Sequence, residues 1–226
     1  FSRHGLSFDE IEEYKNVITR LDVKIILSHL ACSEDKNNAK NAEQLQNFLK
    51  VKEFLGDVYK YSLCASCGVF LGKNYHFDIV RVGYGLFCSG ASSKLKNAVG
   101  MYAKILQVKH IKQGDTVGYG ASFVAKKDMK IAIIGIGYSH GLFKNLKDCK
   151  YWAYIGDQKC NFIGKISMEY STIDVTNIYD KYLQIGTPVE LIGPHRSLIE
   201  LAHDLNTNPS DVLVKTGNIE KVYIEK

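Results

Sequence analysis

The sequence predicts an α/β segment followed by an all-β segment. Three observations carry that expectation. Apolar residues at helical spacing alternate with short apolar runs over the first ninety residues, the texture then changes to β-branched runs punctuated by glycine turns, and 226 residues suffice to bury a core without staples. The composition, 46% hydrophobic and 23% charged with three prolines, is that of a soluble globular chain. The boundary is expected near residues 92–96, giving segments 1–93 and 94–226.

In the first segment, Leu6, Ile11, Tyr14, Val17, Ile18 and Leu21 follow helical spacing, with Ser7 or Asp9 as the N-cap and Glu10 close by, so a helix is expected over 7–21. An apolar run of strand length, 23–30, ends in Ser28-His29, and helical period returns over 42–54 through Leu45, Phe48, Leu49 and Val51. Strands are expected at 58–64 and 77–81, the second closing on Val82-Gly83-Tyr84-Gly85. Such alternation argues for a parallel sheet, whose functional residues gather at the C-terminal ends of strands; Arg3, His29, Ser66 and Arg81 fall there, on one rim, although singly His29 or Ser66 reads as a turn or capping residue and Arg81 as a carboxylate partner.

In the second segment, 99–108, 130–136, 151–155, 162–166, 172–175 and 188–192 read as strands, punctuated by Gln113-Gly114-Asp115, Ile155-Gly156-Asp157 and Gln184-Ile185-Gly186. One helix is expected at 198–205, and the whole as an antiparallel β domain.

Composition also excludes. The net charge of +5 comes from 25 lysines and four arginines spread along the chain rather than from a basic block, which argues against nucleic acid. No apolar run approaches the roughly 18 residues of a membrane span, and no signal-like segment is present, so a cytoplasmic protein is expected. Six cysteines are too sparse for a disulfide scaffold. Cys64-Ala65-Ser66-Cys67 matches C-x-x-C but lacks a second pair at zinc spacing, and reads as small residues in a tight turn; no metal is expected. The first residue is Phe1, inside a Ser-Arg-His-Gly turn, which reads as the interior of a longer protein.

The ordered motifs Ser2-Arg3-His4-Gly5-Leu6, Ser28-His29-Leu30-Ala31, the Ser66 turn, Phe77-Asp78-Ile79-Val80-Arg81-Val82-Gly83, Val117-Gly118-Tyr119-Gly120, Gly137-Tyr138-Ser139-His140-Gly141 and Ile163-Gly164-Lys165-Ile166-Ser167-Met168-Glu169 together resemble the C-terminal part of a bacterial alanine racemase. Ser66 and Arg81 stand fifteen positions apart, which suits that family's spacing. The resemblance implies the C-terminal portion of a (β/α)8 barrel, then a β domain. It implies interconversion of L- and D-alanine through an aldimine of pyridoxal 5'-phosphate, supplying D-alanine for peptidoglycan, in a homodimer whose active sites are shared. Removing a proton from one face and returning one to the other needs two bases. The family's are a cofactor lysine, without a counterpart in these 226 residues, and a tyrosine matched by Tyr119, with His29 matching its hydrogen-bonding helper. Arg81 matches the arginine facing the pyridine nitrogen, Ser66 the phosphate-binding hydroxyl, and Gly83 and Tyr84 the amides near the phosphate. Arg3 matches a carboxylate-side arginine, and Tyr138 and Met168 match residues at the entrance and substrate pocket.

Departures from the family pattern are His140 for an acid, Glu169 for an aspartate, Ala65 for an asparagine and Gly217 for a tyrosine. Because the matched lysine is missing, this chain alone is expected not to catalyse. The other readings are an inactive remnant or a binding module that partners a separate N-terminal half, and a basic amino-acid racemase or decarboxylase of the same plan.

Overall fold

A computed structural model describes residues 3–142, 151–217 and 219–224. The chain divides into two compact units, Phe1–Lys96 and Asn97–Lys226.

In the first unit the helix expected over 7–21 forms as two pieces, α1 (Phe8–Glu13) and α2 (Lys15–Ile18), broken at Tyr14. Ser7 caps α1 in a reciprocal box with Glu10. Neither piece buries a residue, and Val17 and Leu21 stay exposed, so little packing offsets the cost of a continuous helix. β1 (Ile25–Leu27) pairs in parallel with β2 (Lys60–Ser62), in the register Ile26 to Tyr61, and α3 (Ala39–Leu55) crosses between them. Asn38 caps α3 through the Lys40 amide. Leu45 and Phe48 of α3 pack on Leu30, Tyr61, Leu63 and Cys64, and Phe48 meets the Phe77 ring edge-on at 4.9 Å. Each such side chain stabilises the unit by about 2 kcal/mol.

The strand expected at 77–81 does not form; only a parallel bridge joins Ala65 to Arg81. The Asp78 carboxylate accepts the Tyr61 amide at 2.9 Å, taking a donor that a ladder would use. The Asp78 and Ile79 amides both turn onto the Tyr61 carbonyl, and Phe77 has φ +53°. An apolar run has become a folded corner that delivers Arg81 to the end of β2.

The second unit is a closed six-stranded barrel in the order β10-β3-β6-β9-β8-β7, with every ladder antiparallel. Its strands are β3 (Met101–Ile111), β6 (Met129–Ile134), β7 (Trp152–Ile155), β8 (Gln158–Ile163), β9 (Ser171–Asp174) and β10 (Pro188–Ile192). Met101, Ala103 and Ile105 point inward while Tyr102 and Lys104 face out, the period-2 pattern of a one-sided strand. A hairpin of β4 (Thr116–Val117) and β5 (Phe123–Val124) packs Val117 and Phe123 against Met129, Ile131 and Ile163 of the barrel and carries 118–122 between its strands. The 198–205 helix is present as α4 (Leu198–Asp204), with Ser197 and Glu200 in a capping box. A further helix, α5 (Pro209–Lys215), was not expected, although Asn208 as N-cap and Pro209 in the first turn are its sequence signature. Among the described residues no helix is long and apolar enough to cross a membrane.

Candidate functional site

Arg81 is heavily engaged at the end of β2. One terminal nitrogen donates to the Ser62 carbonyl at 3.0 Å and the Ser62 hydroxyl at 2.7 Å. The other donates to the Ser28 carbonyl at 2.6 Å, with the Leu63 carbonyl at 3.4 Å, and faces His29 Nδ1 at 3.2 Å. A guanidinium only donates, so His29 Nδ1 accepts, and the neutral ring carries its proton on Nε2. Burial, then the positive charges of Arg81 and Arg3, hold His29 below the usual histidine range against an opposing pull from Glu34. Gln44 fixes the backbone there, donating to the His29 carbonyl and accepting the Ala31 amide, both at 2.9 Å. Arg3, His29 and Arg81 are thus brought within electrostatic reach of one another.

Beside them lies a cradle of donors. The bridge from Ala65 to Arg81 sets Ser66 opposite the turn after Arg81, where the buried Ser66 hydroxyl oxygen accepts the Gly83 amide at 3.0 Å and the Gly85 amide at 3.2 Å. A methyl group on Gly85 would stand 3.2 Å from Ser66 Cβ, so a larger residue would push the two apart by a few tenths of an ångström. Tyr84 opens the short 3-10 turn Tyr84–Leu86, and its phenol is tied to Cys67 Sγ. Burial, then that hydrogen bond, raise the Tyr84 phenol far above the ordinary tyrosine range, so it stays protonated. With its oxygen accepting the Gly83 and Gly85 amides, the Ser66 hydroxyl keeps its own hydrogen to donate to an anion.

Cys64 and Cys67 are buried free thiols, and no cluster able to hold a metal occurs among the described residues. Cys149 lies outside the described residues.

The second unit holds the phenols. Tyr119 is 71% exposed on the hairpin loop. That loop is seated by Gly118, whose φ is +80° and where a Cβ would lie 2.7 Å from the Lys165 amide nitrogen. Ser122 Oγ accepts that amide at 2.9 Å. The 163–170 loop therefore supports Tyr119 and also carries Met168, 54% exposed. The Tyr138 amide donates to the Ser167 carbonyl and the Ser139 amide to the Met168 carbonyl, each at 3.0 Å. Tyr138 and Met168 thus share one rim. Tyr119 and His29, expected as a pair, lie in different units.

Sequence reading passed over Ser62, which holds Arg81, and Cys67, which holds Tyr84. Ser62 sits at the end of a strand and could have been found by that position; nothing in the sequence marks Cys67 as the partner of Tyr84.

Residues 98–223 match the family model of the alanine racemase C-terminal domain, and residues 1–90 match that of the alanine racemase N-terminal domain. The alanine racemase of Brucella ovis is 37% identical over 246 residues, covering 99% of this chain and 61% of the relative. Alanine racemase 3 of Mesorhizobium japonicum is 38% identical, covering 96% of this chain and 57% of the relative. Among solved structures, alanine racemase from Bartonella henselae with covalently bound pyridoxal phosphate superposes with a TM-score of 0.90 at 35% identity, over 99% of this chain and 64% of that one. The Acinetobacter baumannii alanine racemase superposes with a TM-score of 0.80 at 31% identity, over 95% of this chain and 61% of that one. The chain therefore spans less than two thirds of the length of these relatives. With a single family model covering more than half of it, the chain belongs to the alanine racemase family.

Proposed function

We propose that this chain supplies the non-covalent part of the cofactor site, and the opposite-face tyrosine, of a pyridoxal-phosphate-dependent alanine racemase. The observation that carries this reading is the Arg81–His29 contact set beside the Ser66 cradle in the same unit. In this reading the first unit is a portion of a (β/α)8 barrel, and the parallel pairing of β1 and β2 across α3 is what supports it.

The residues fit the cofactor by the chemistry of their donors. The Ser66 hydroxyl and the amides of Gly83 and Tyr84 would hold the phosphate oxygens, the Gly83 amide exchanging its contact with Ser66 Oγ for one to the phosphate. The contacts of Arg81 to protein run through its two terminal nitrogens, which leaves Nε–H as the donor for the pyridine nitrogen. Because guanidinium keeps its proton, Arg81 hydrogen-bonds that nitrogen without protonating it. Bound there, pyridoxal phosphate makes the α-hydrogen of an attached amino acid acidic. Arg3 meets the substrate carboxylate. Tyr119 of the partner subunit in a homodimer moves the proton on one face, and His29 Nε2–H steadies its phenol. Tyr138 and Met168 close the substrate side. The lysine that acts on the other face has no counterpart in these residues, so turnover requires a chain that carries it. The product is D-alanine, the form used in peptidoglycan.

The test is a hybrid in which the unmatched portion of the Bartonella henselae enzyme is joined to this chain. Expected is formation of D-alanine from L-alanine, with Ser66→Ala weakening pyridoxal phosphate binding by roughly tenfold for about 1.4 kcal/mol of lost donor contact. A folded hybrid that binds the cofactor as an imine yet forms no D-alanine overturns the reading.

A further inference from the structure

Two residues outside the proposed chemistry, His140 and Glu169, meet where the Tyr138 turn touches the Met168 loop. The two segments are already close: a Cβ on Gly137 would lie 2.3 Å from the Met168 carbonyl oxygen. His140 Nδ1 accepts the Gly137 amide at 3.1 Å. With that nitrogen occupied as an acceptor, the neutral imidazole carries its hydrogen on Nε2, which faces Glu169 Oε2 at 3.5 Å. The other carboxylate oxygen, Oε1, lies 2.8 Å from the Ser139 hydroxyl, which also stands 2.8 Å from the Met168 carbonyl. One glutamate thus reaches two successive residues of the turn, one through each oxygen, while its own backbone follows Met168.

We propose that His140 is a positioning residue, held between the Gly137 amide and Glu169, that fixes the separation of Tyr138 and Met168. This rests on reading those two side chains as the substrate side of a racemase. Its geometry is internal to the second unit and is testable on the chain without cofactor. The side chain at 169 must be long enough to span Ser139 and His140 together, which a glutamate does here and an aspartate, one methylene shorter, would not.

The first experiment records side-chain nitrogen spectra of the histidines in the intact chain above pH ~7, where an ordinary imidazole is neutral. His140 is assigned by loss of its signals in His140→Asn. Expected is an Nε2–H tautomer for His140, with the Nε2 signal displaced in Glu169→Gln; an Nδ1–H tautomer overturns the proposal. The second measures hydrogen exchange at the Gly137 amide. His140→Leu should speed it by roughly tenfold, and His140→Asn, whose Oδ1 can stand in for Nδ1, should return it to within about threefold of the native rate. Equal exchange in the two variants overturns it, and should His140→Leu not fold, His140→Gln, which lacks an acceptor at the Nδ1 position, replaces it.

In the racemising hybrid, Glu169→Asp should raise KM for alanine by roughly fivefold with kcat held within about twofold, the sign of lost ground-state positioning. A fall in kcat at constant KM contradicts the substrate-side placement. A hybrid that does not racemise overturns the functional reading instead, since the tautomer and the exchange rates require neither cofactor nor turnover.

Discussion

The pKa values of His29 and His195 move in opposite directions for reasons visible around each ring. Burial and then the Arg81 charge lower that of His29. His195 stands between two carboxylates, Glu190 at 2.9 Å on Nδ1 and Asp157 at 2.9 Å on Nε2, which raise its pKa. The imidazolium, with two donors, satisfies both contacts. A base whose pKa is higher folded than unfolded stabilises fully below its ordinary value of ~6.5, and that contribution is lost as pH rises through the folded value. Thermal midpoints of the native chain and His195→Gln should therefore differ most below pH ~6.5 and converge at higher pH. A gap that widens with pH contradicts the assignment. At Arg81, lysine would place a single ammonium where two forked nitrogens meet five acceptor atoms. Arg81→Lys should weaken pyridoxal phosphate binding by about tenfold to a hundredfold in equilibrium dialysis. The positions of Ser66 and Arg81 after apolar runs could be read from the sequence, but their proposed roles, and that of Gly83, came from the resemblance, since a lone serine or arginine there is most often a turn, capping or ion-pairing residue. The His140–Glu169 pair was not legible, because 29 residues separate its members and only the fold closes that distance.

Among the elements, those with strong periodicity and caps emerged at nearly their expected bounds. α3 has Asn38 before it and a buried face through Leu45 and Phe48. α4 has its Ser197–Glu200 box. Misreadings occurred where an apolar run had nothing to pack against or met a competing hydrogen bond: the 7–21 helix split at Tyr14, and 77–81 folded into a corner because Asp78 took the Tyr61 amide. α5 escaped because it buries only Val212, too little to mark an apolar face. The hairpin that carries Tyr119 depends on one close approach. Gly118→Ala would force a methyl against the Lys165 backbone at a positive φ, and should cost about 2 kcal/mol or more. Calorimetry of that variant should show a midpoint lowered by about 5 °C or more for a unit of this size, and an unchanged midpoint would show that the loop is not seated there.

The two units differ in how completely they close. The barrel of the second joins its strands edge to edge, and β3 alternates buried and exposed positions over 101–106. The first relies on a pair of three-residue strands, with Leu27, Val80 and Val82 exposed beside them. Short ladders and uncovered apolar side chains stabilise weakly. Scanning calorimetry of the chain should give two transitions, the first unit melting before the second, and a single cooperative transition would contradict that division. The α/β-then-β order was legible because periodicity changes sharply near the junction. Closure of the β segment into a barrel was not, since the pairing of β10 with β3 joins residues some eighty positions apart. The proposed chemistry needs Tyr119 on one face of the substrate and, on the other, the lysine that has no counterpart in these residues. The most direct measurement follows α-hydrogen exchange in deuterium oxide by the hybrid carrying Tyr119→Phe. Expected is racemisation slowed by about 10² to 10⁴, while one alanine enantiomer still exchanges its α-hydrogen and the other does not. Racemisation at the rate of the unmodified hybrid, or loss of exchange from both enantiomers alike, would contradict the role of Tyr119.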